Sequence, residues 1–224
     1  MVKRLSFLFI AIVVSLVTSI TYASEQNSHT NAEKVQQNNS LLILGDSLSA
    51  GYQMGIEQSW PYLLGQDLKQ SAQIEVINAS ISGDTSGNGL ARLPQLLQTH
   101  NPKWLLIELG ANDGLRGFAP QEVEKNLNAM IELAQSHHIN VILMQIKMPP
   151  NYGRRYTEAF AAVYPKVAQS HQIPLIDFFL EEVILKQEWM KQDGLHPNEK
   201  AQPWISEHMK TALTPYLGLS QIKG

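Results

Sequence analysis

Five short apolar runs, separated by stretches with helical spacing, constrain the fold of this chain more than any other feature of its sequence. The runs are 41–44, 74–77, 104–107, 141–144 and 173–176. Short runs dominated by apolar residues, such as the continuous run 41–44, are typical of strands buried on both faces, whereas the apolar residues between the runs recur at three- and four-residue intervals. Strands that alternate with helices predict an α/β fold, with a parallel sheet between two helical layers in one domain over residues 41–218.

The composition excludes several classes of protein. Of the 224 residues, 44% are hydrophobic and 17% charged, a balance that excludes long disorder. The formal net charge is −3 and no run of Lys or Arg lies beyond the first few residues, so a nucleic-acid partner is not expected. The chain has no cysteine, which excludes disulfides, Cys-bound metals and a thiol nucleophile. Any covalent catalysis must therefore use Ser, Thr, Lys or a carboxylate.

The first 23 residues have the pattern of a secretory signal peptide. Lys3 and Arg4 precede an apolar stretch, and a small-x-small pattern ends at Ala23. This pattern predicts cleavage after Ala23 and export to a bacterial periplasm or exterior. An uncleaved membrane anchor is the alternative, because the apolar length approaches the ~20 residues of a spanning helix. Residues 24–40 are rich in Asn, Gln and Ser, and we expect them to form a solvated polar leader.

A ligand site is expected in the loops that follow the strands, because open parallel sheets bind ligands beyond the carboxyl ends of their strands. The first of these loops contains Gly45, Asp46 and Ser47. A serine on a strand-to-helix turn is presented as a nucleophile. The same tripeptide is also typical of an ordinary helix cap, and these residues alone do not separate the two interpretations.

The loops after the second and third strands contain candidate donors to a developing negative charge. Gly83 allows its backbone N–H to approach a ligand closely, and the amide of Asn112 offers N–H groups that do not titrate. Taken alone, either residue is more typical of an ordinary loop. Asp46 and Asp113 flank the candidate site, and we expect them to accept hydrogen bonds that shape the turns.

The loop after the fifth strand contains the sharpest local signal. Asp193 precedes His196 by three residues, and Pro197 follows it directly. Pro197 favours extended backbone at His196 and predicts the start of the final helix. A catalytic base needs such an Asp–His pair, because the carboxylate orients the imidazole. A metal site would also use Asp and His, but it would need further ligands, and neither a His cluster nor an H-E-x-x-H motif supplies them.

Taken together, these blocks resemble those of the SGNH (GDSL) hydrolases. The blocks are Gly45-Asp46-Ser47-Leu48, Gly83, Gly110-Ala111-Asn112-Asp113 and Asp193-Gly194-Leu195-His196-Pro197. The resemblance extends over residues 41–216 and implies a flavodoxin-like, three-layer α/β/α sandwich whose five parallel strands have the order 2-1-3-4-5. Members of the family often carry Gly where this chain has Ala111. An Ala is tolerated there unless the backbone needs a positive φ.

The resemblance also implies a role for each of five residues. Ser47 would be the nucleophile, His196 its base and Asp193 the residue that orients the base. The oxyanion hole would consist of the backbone N–H groups of Ser47 and Gly83 and the side chain of Asn112. These roles need no cofactor and no metal, and they describe an esterase that forms an acyl-enzyme.

The substrate implied by this resemblance is a small-molecule acyl ester or thioester. Acyl-CoA thioesters, lysophospholipids and short activated esters are all candidates, although predicted secretion conflicts with CoA, which is cytoplasmic. We expect a shallow acyl groove lined by Met148, Pro149 and Tyr152, residues that are equally typical of ordinary loop packing. We expect the mature protein to be a monomer without a stable membrane anchor and without nucleic acid.

Two other functions remain open. One is a carbohydrate acetylesterase that uses the same site, which selectivity for acetylated sugars would reveal. The other is a metal-dependent phosphoesterase that uses Asp46, Asp84, Asp193 and His196, which loss of activity with a chelator would reveal.

Overall fold

Within residues 37–219, five parallel strands form the sheet. These are the residues that the computed structural model describes, so the predicted signal peptide and most of the predicted polar leader lie outside them. The strands are β1 (Asn38–Gly45), β2 (Glu75–Asn78), β3 (Pro102–Glu108), β4 (Asn140–Met144) and β5 (Leu175–Ile176). Their order is β2-β1-β3-β4-β5, and every neighbouring pair is parallel. The predicted α/β class and the order 2-1-3-4-5 are confirmed.

Helices of the described residues cover both faces of the sheet. They are α1 (Ser47–Ala50), α2 (Trp60–Ala72), α3 (Ser86–His100), α4 (Ala111–Leu115), α5 (Pro120–Ser136), α6 (Arg154–Ala161), α7 (Val163–His171), α8 (Leu180–Val183) and α9 (Gln202–Leu213). Short 3₁₀ helices lie at Ile56–Gln58, Pro150–Tyr152 and Gln187–Trp189. Along the sheet, the chain moves in one direction from β1 to β2 and in the other direction from β2 through β3 and β4 to β5. Because each connection is right-handed, α2 lies on one face of the sheet, and α3, α5 and α7 lie on the other. The contacts between helices agree with this placement, because α2 packs on α9, whereas α5 packs on α3 and α7. None of these helices combines the length and apolar character that a membrane span requires.

The buried core lies where the apolar runs predict it. Residues 41–44, 104–107 and 141–144 of the three central strands are buried, whereas β2 and β5 at the edges are only partly buried. Trp60 and Tyr164, on the helical layers, are the largest fully buried side chains. Burial of one large aliphatic or aromatic side chain contributes about 1.5–3 kcal/mol, so this core can stabilise a chain that has no disulfide.

The first strand begins three residues before the apolar run. Asn38–Ser40, which the sequence places in the polar leader, belong to β1. The amide of Asn38 donates to the carbonyl of His100 at 2.6 Å, and the amide of Asn39 donates to the carbonyl of Gln73 at 2.8 Å. These carbonyls lie at the C-terminal ends of α3 and α2, where backbone acceptors lack donors within the helix. Polar residues that cap neighbouring helices leave no apolar pattern, so the start of β1 could not be located from the sequence.

Candidate active site

Ser47 begins the first helix directly after the first strand ends. β1 ends at Gly45, and Asp46 caps α1 by accepting a hydrogen bond from the N–H of Leu48 at 3.0 Å. A glycine is required at the end of β1, because a Cβ on Gly45 would lie 2.5 Å from Oε2 of Glu108. The turn therefore caps a helix and presents a serine at the same time, so the two interpretations of the motif are compatible.

A chain of hydrogen bonds joins Ser47, His196 and Asp193. Oγ of Ser47 lies 2.9 Å from Nε2 of His196, and Nδ1 of His196 lies 2.7 Å from Oδ2 of Asp193. Oδ1 of Asp193 also accepts hydrogen bonds from the backbone N–H groups of Leu195 and His196, at 2.9 and 3.0 Å. The structure thus brings the serine, histidine and aspartate of the sequence motifs into one hydrogen-bonded arrangement.

The carboxyl group of Asp193 is held in its ionised form. Burial opposes ionisation, but hydrogen bonds from the N–H of Leu195 and from the side chain and N–H of His196 outweigh it and lower the pKa of Asp193 to about 2. An ionised carboxylate only accepts hydrogen bonds, so Nδ1 of His196 carries a proton. Nε2 is then left to accept from the hydroxyl of Ser47, which is the tautomer that a general base needs.

Pro197 does not start the final helix, contrary to the sequence prediction. Met190 and Pro197 pair in an isolated antiparallel bridge, and the side-chain amide of Asn198 donates to the carbonyl of Met190 at 3.2 Å. The helix α9 begins only at Gln202. Pro197 instead pairs with Met190 at the point where the loop that contains His196 begins and ends.

Asn112 connects the loops that follow β1, β2 and β3. Its Nδ2 donates to Oδ2 of Asp46 at 3.1 Å and to the carbonyl of Asp84 at 2.9 Å. Asn112 lies in α4, whose N-cap Gly110 has a φ of 124°. Ala111 does not have a positive φ. The Ala that departs from the family pattern therefore causes no backbone strain beside Asn112.

Gly83 lies in the loop after β2, where arginines hold the backbone. Its φ is 86°, a conformation that favours glycine, and its carbonyl accepts from Nη2 of Arg116 at 3.0 Å. The next residue, Asp84, forms an ion pair with Arg92 at 2.6 Å, and Nη1 of Arg92 donates to the carbonyl of Ala79 at 3.0 Å. These contacts fix the loop beside the amide of Asn112.

Three carboxyl groups next to the residues of the site are buried, those of Asp46, Glu108 and Asp113. Burial is the main cause that raises the pKa of Asp46, to about 7, against two hydrogen bonds that lower it. Burial likewise raises the pKa of Glu108 well above its ordinary value, and the charge of Asp46 adds to this effect. Asp113 accepts from the N–H and Oγ of Ser86 at 2.8 and 2.6 Å. Asp46 and Asp113 therefore accept hydrogen bonds that shape the turns. No sequence motif indicated the third buried carboxyl group, that of Glu108.

An apolar cavity of about 460 Å³ opens beside Ser47. Met148 and Pro149, two of the three residues expected in the acyl groove, line this cavity. Tyr152 is not part of the lining, and its hydroxyl donates to the carbonyl of Leu115 at 3.1 Å. Other apolar residues of the lining are Leu48, Ala111, Leu115, Pro150, Phe178, Leu180, Ile184 and Leu195.

The carboxylates of the metal-dependent alternative are engaged with other partners. Asp84 forms its ion pair with Arg92, and Asp193 accepts from His196. Within residues 37–219, no group of three or more His, Asp or Glu side chains is arranged to hold a metal ion. The positions of these side chains give the metal-dependent alternative no support.

One aromatic contact at the site was not indicated by the sequence reasoning. Tyr52 stacks on His196, with ring centroids 4.2 Å apart and an angle of 30° between the ring planes. Tyr52 follows Gly51, the left-handed C-cap of α1, so it comes shortly after Ser47 in the chain. Its nearness to the serine in sequence is the one signal that could have drawn attention to it.

The fold and the site together define a class of protein. At the carboxyl edge of a parallel sheet, one histidine is hydrogen-bonded both to a serine and to an ionised aspartate. This arrangement, beside an apolar cavity, is typical of serine hydrolases that act on acyl groups. Residues 43–202 match the GDSL-like Lipase/Acylhydrolase family. The chain belongs to this family, and the resemblance seen in its motifs is confirmed.

Relatives and solved structures support this assignment over most of the chain. The chain is 58% identical over 183 residues to an arylesterase from Vibrio mimicus, covering 81% of this chain and 92% of the relative. It is 55% identical over 175 residues to thioesterase 1/protease 1/lysophospholipase L1 from Escherichia coli (strain K12), covering 78% of this chain and 83% of the relative. The crystal structure of the psychrotrophic esterase EstA from Pseudoalteromonas sp., inhibited by monoethylphosphonate, is similar with a TM-score of 0.78 and 43% identity, covering 81% of this chain and 100% of that chain.

Proposed function

We propose that the protein is a serine hydrolase that cleaves acyl esters and thioesters through a covalent acyl-enzyme. His196 takes the proton of Ser47 as Oγ attacks the acyl carbonyl carbon, and Asp193 stabilises the imidazolium that forms. Collapse of the tetrahedral intermediate breaks the bond to the alcohol or thiol, which leaves with the proton from His196. Water, activated by the same imidazole, then hydrolyses the acyl-enzyme and releases a carboxylic acid.

The observation that carries this proposal is the pair of hydrogen bonds made by one imidazole. Nε2 of His196 lies 2.9 Å from Oγ of Ser47, while Nδ1 lies 2.7 Å from Asp193. Because the pKa of Asp193 is lowered to about 2, its carboxylate is ionised at neutral pH and orients the ring. The geometry therefore supports proton transfer from the serine without any rearrangement of these side chains.

The proposed oxyanion donors come from three loops. Ser47 begins α1, so its N–H belongs to the first turn of a helix, where backbone donors lack partners within the helix. Gly83 has no side chain to block its N–H. Nδ2 of Asn112 already donates to Asp46 and to the carbonyl of Asp84, so an arriving substrate oxygen would share or replace one of these acceptors. Such donors stabilise the negative charge that develops in the transition state.

The cavity favours the acyl chain of an ester or thioester. Leu115, Phe178 and Leu195 belong to its apolar lining. Each methylene buried there contributes about 0.8 kcal/mol, so single-chain acyl groups gain binding energy with length. Short activated esters, lysophospholipids and acyl-CoA thioesters are the substrates proposed, in keeping with the names of the relatives. An apolar cavity offers little to an acetylated sugar, which disfavours the acetylesterase alternative.

The same proposal includes export of the protein and a monomeric state. Residues 1–23 have the signal-peptide pattern, and export to a periplasm or exterior favours lysophospholipids over CoA thioesters as natural substrates. Every residue of the proposed site comes from one chain. N-terminal sequencing of the exported protein tests cleavage after Ala23, and light scattering tests the monomeric state.

The deciding experiment compares the mature wild type with Ser47→Ala. Ser71→Ala, which removes an exposed hydroxyl at the end of α2, is the matched control. Each protein is treated with a serine-directed phosphonate and assayed on p-nitrophenyl esters, lysophospholipids and acyl-CoA thioesters of graded chain length. We expect labelling and turnover in the wild type and in the control, and neither in Ser47→Ala.

The same assays separate the alternative functions. Turnover that rises with chain length beyond acetate supports the acyl esterase, whereas a preference for acetylated sugars would support the carbohydrate acetylesterase. Equal turnover in the wild type and in Ser47→Ala would overturn the proposal. Loss of activity on addition of a chelator would instead point to the metal-dependent phosphoesterase.

A further inference from the structure

The ring of Tyr52 covers one face of the imidazole of His196. The two centroids are 4.2 Å apart, and the planes are inclined by 30°. The edge of the imidazole is already engaged, because Nδ1 bonds to Asp193 and Nε2 bonds to Ser47. Hydrogen bonds at two nitrogens leave the ring able to tilt about the line that joins them. A second ring stacked on its face opposes that tilt.

One short helix places both Tyr52 and Ser47. Ser47 begins α1, Gly51 ends it with a φ of 74°, and Tyr52 follows. Gly51 is closely packed, since a Cβ there would lie 3.1 Å from Cβ of Ser59. The direction in which the chain leaves α1 is therefore fixed, and with it the position of the aromatic ring relative to the serine.

The segment after α1 is also bonded to the loop that contains His196. Nζ of Lys191 donates to the carbonyl of Gln53 at 3.3 Å, and the N–H of Lys191 donates to the carbonyl of His196 at 2.8 Å. Nε2 of Gln53 donates to the hydroxyl oxygen of Tyr52 at 3.1 Å. The two stacked rings therefore belong to segments that are bonded to each other.

We propose that Tyr52 is a positioning residue whose ring face stabilises the imidazolium of His196 during the reaction. This inference rests on the proposed function, because in the reaction the imidazolium forms when His196 takes the proton of Ser47. A cation within ~6 Å of an aromatic centroid is attracted to the negative face of the ring, and neutral imidazole lacks that charge. The stack thus stabilises the transition state more than the resting enzyme, which is the condition for raising kcat.

Groups other than Tyr52 also influence the charge of His196. Asp193 contacts the ring from its own loop, and Ser47 contacts it from α1. The charged groups on the other elements around the ring and the cavity are Asp46, the Lys191–Glu199 pair and the Lys147–Glu181 pair. Substitution of Tyr52 changes none of these groups, so a difference among variants at this position reports on the aromatic ring.

The first test compares Tyr52→Leu with Tyr52→Phe in the mature protein. Phe keeps the ring face without the hydroxyl, whereas Leu keeps apolar bulk without the face. We expect kcat per phosphonate-titrated site to be lower in Tyr52→Leu than in Tyr52→Phe by on the order of 3- to 30-fold. The acid limb of kcat/KM against pH should also move to lower pH in Tyr52→Leu, because the protonated base has lost a stabilising contact.

Fluorinated phenylalanines at position 52 test the ring face while preserving its shape. Each added fluorine makes the face of the ring less negative, so the attraction for a cation weakens in steps. We expect log kcat to fall stepwise from Tyr52→Phe to the pentafluoro analogue, with KM for p-nitrophenyl butyrate changing less than kcat. A ring that only fills space would give the same kcat throughout this series.

Two results would overturn the role of Tyr52. The first is equal kcat per titrated site with an unmoved acid limb in the Leu and Phe variants, and the second is a flat fluorinated series. Either result together with loss of turnover in Ser47→Ala would leave the serine-hydrolase function intact. Turnover retained in Ser47→Ala would overturn the proposed function itself.

Discussion

Oδ2 of Asp46 lies 3.1 Å from Nδ2 of Asn112, and this hydrogen bond joins the turn after β1 to the turn after β3. Oδ1 of the same carboxyl group accepts from the N–H of Leu48 at 3.0 Å. One buried side chain therefore fixes both the start of the helix that presents Ser47 and the amide proposed as an oxyanion donor. These two contacts explain structurally why an aspartate stands between Gly45 and Ser47.

Asn112→Ala should lower kcat by ~10²- to 10³-fold, the usual effect of removing one donor to an oxyanion. KM should change less, because the donor acts on the transition state more than on the bound substrate. Steady-state kinetics on p-nitrophenyl butyrate measures both constants. Asn126→Ala is the control, since it removes an amide that bonds to Ser86 away from the cavity. A similar loss in that control, or near-full kcat in Asn112→Ala, would remove Asn112 from the proposed role.

Asp46 should make the folded protein less stable as the pH rises. Burial raises its pKa from 3.8 to about 7, so between these values the folded state holds a proton that the unfolded state releases. The stabilisation is complete below the unfolded pKa and is lost as the pH rises to about 7. The slope for one group is at most ~1.4 kcal/mol per pH unit. We expect Asp46→Asn to flatten this slope, with Glu108, whose pKa is also raised, supplying a remainder.

Urea unfolding at several pH values between about 4 and 8 measures the slope for Asp46. Glu75→Gln is the control, because Glu75 is an exposed carboxylate on the edge strand β2, and this variant should keep the wild-type slope. If Asp46→Asn and the wild type lose stability in parallel as the pH rises, the raised pKa of Asp46 is not the cause.

Gly110→Ala should lower the free energy of unfolding by about 2–4 kcal/mol and should displace the loop that contains Asn112. Gly110 has a φ of 124°, and a Cβ there would overlap the hydroxyl of Tyr164, which donates to the carbonyl of Leu109 at 2.9 Å. Gly117→Ala is the matched control, because Gly117 has a φ of 73° with nothing within 4 Å of the added Cβ. Its cost should be only the ~1–2 kcal/mol of a left-handed residue. Equal losses in the two variants on urea unfolding would show that the contact with Tyr164 contributes nothing.

The sheet and its loops could be predicted because each leaves a local pattern in the sequence. Strands buried on both faces require continuous apolar runs, and parallel strands bring their carboxyl ends to one edge. Ser47, Asn112 and His196 could therefore be expected together before any contact was known. The strand order 2-1-3-4-5 came from the family resemblance, because the apolar periodicity alone does not distinguish the possible orders.

Contacts that depend on packing left no such pattern. Glu108 ends a strand whose neighbouring residues are apolar, and it lies beside Gly45 only because the register of β1 and β3 pairs these two residues. The stack of Tyr52 on His196 joins residues that are distant in the sequence and depends on the left-handed turn after α1. Both features follow from how the elements pack, which the order of residue types does not reveal.

Met148→Ala should shift the preferred substrate toward longer acyl groups. Met148 lines the cavity and is 8% exposed, so truncation lengthens the space beside Ser47. Each further buried methylene contributes about 0.8 kcal/mol, or about fourfold in kcat/KM. Tyr152→Phe is the matched control, because Tyr152 lies in the same connection but is not part of the cavity lining, and its hydroxyl only donates to the backbone carbonyl of Leu115. The measurement is kcat/KM on p-nitrophenyl esters of graded chain length. The same shift in Tyr152→Phe, or no shift in Met148→Ala, would contradict the placement of the acyl chain in this cavity.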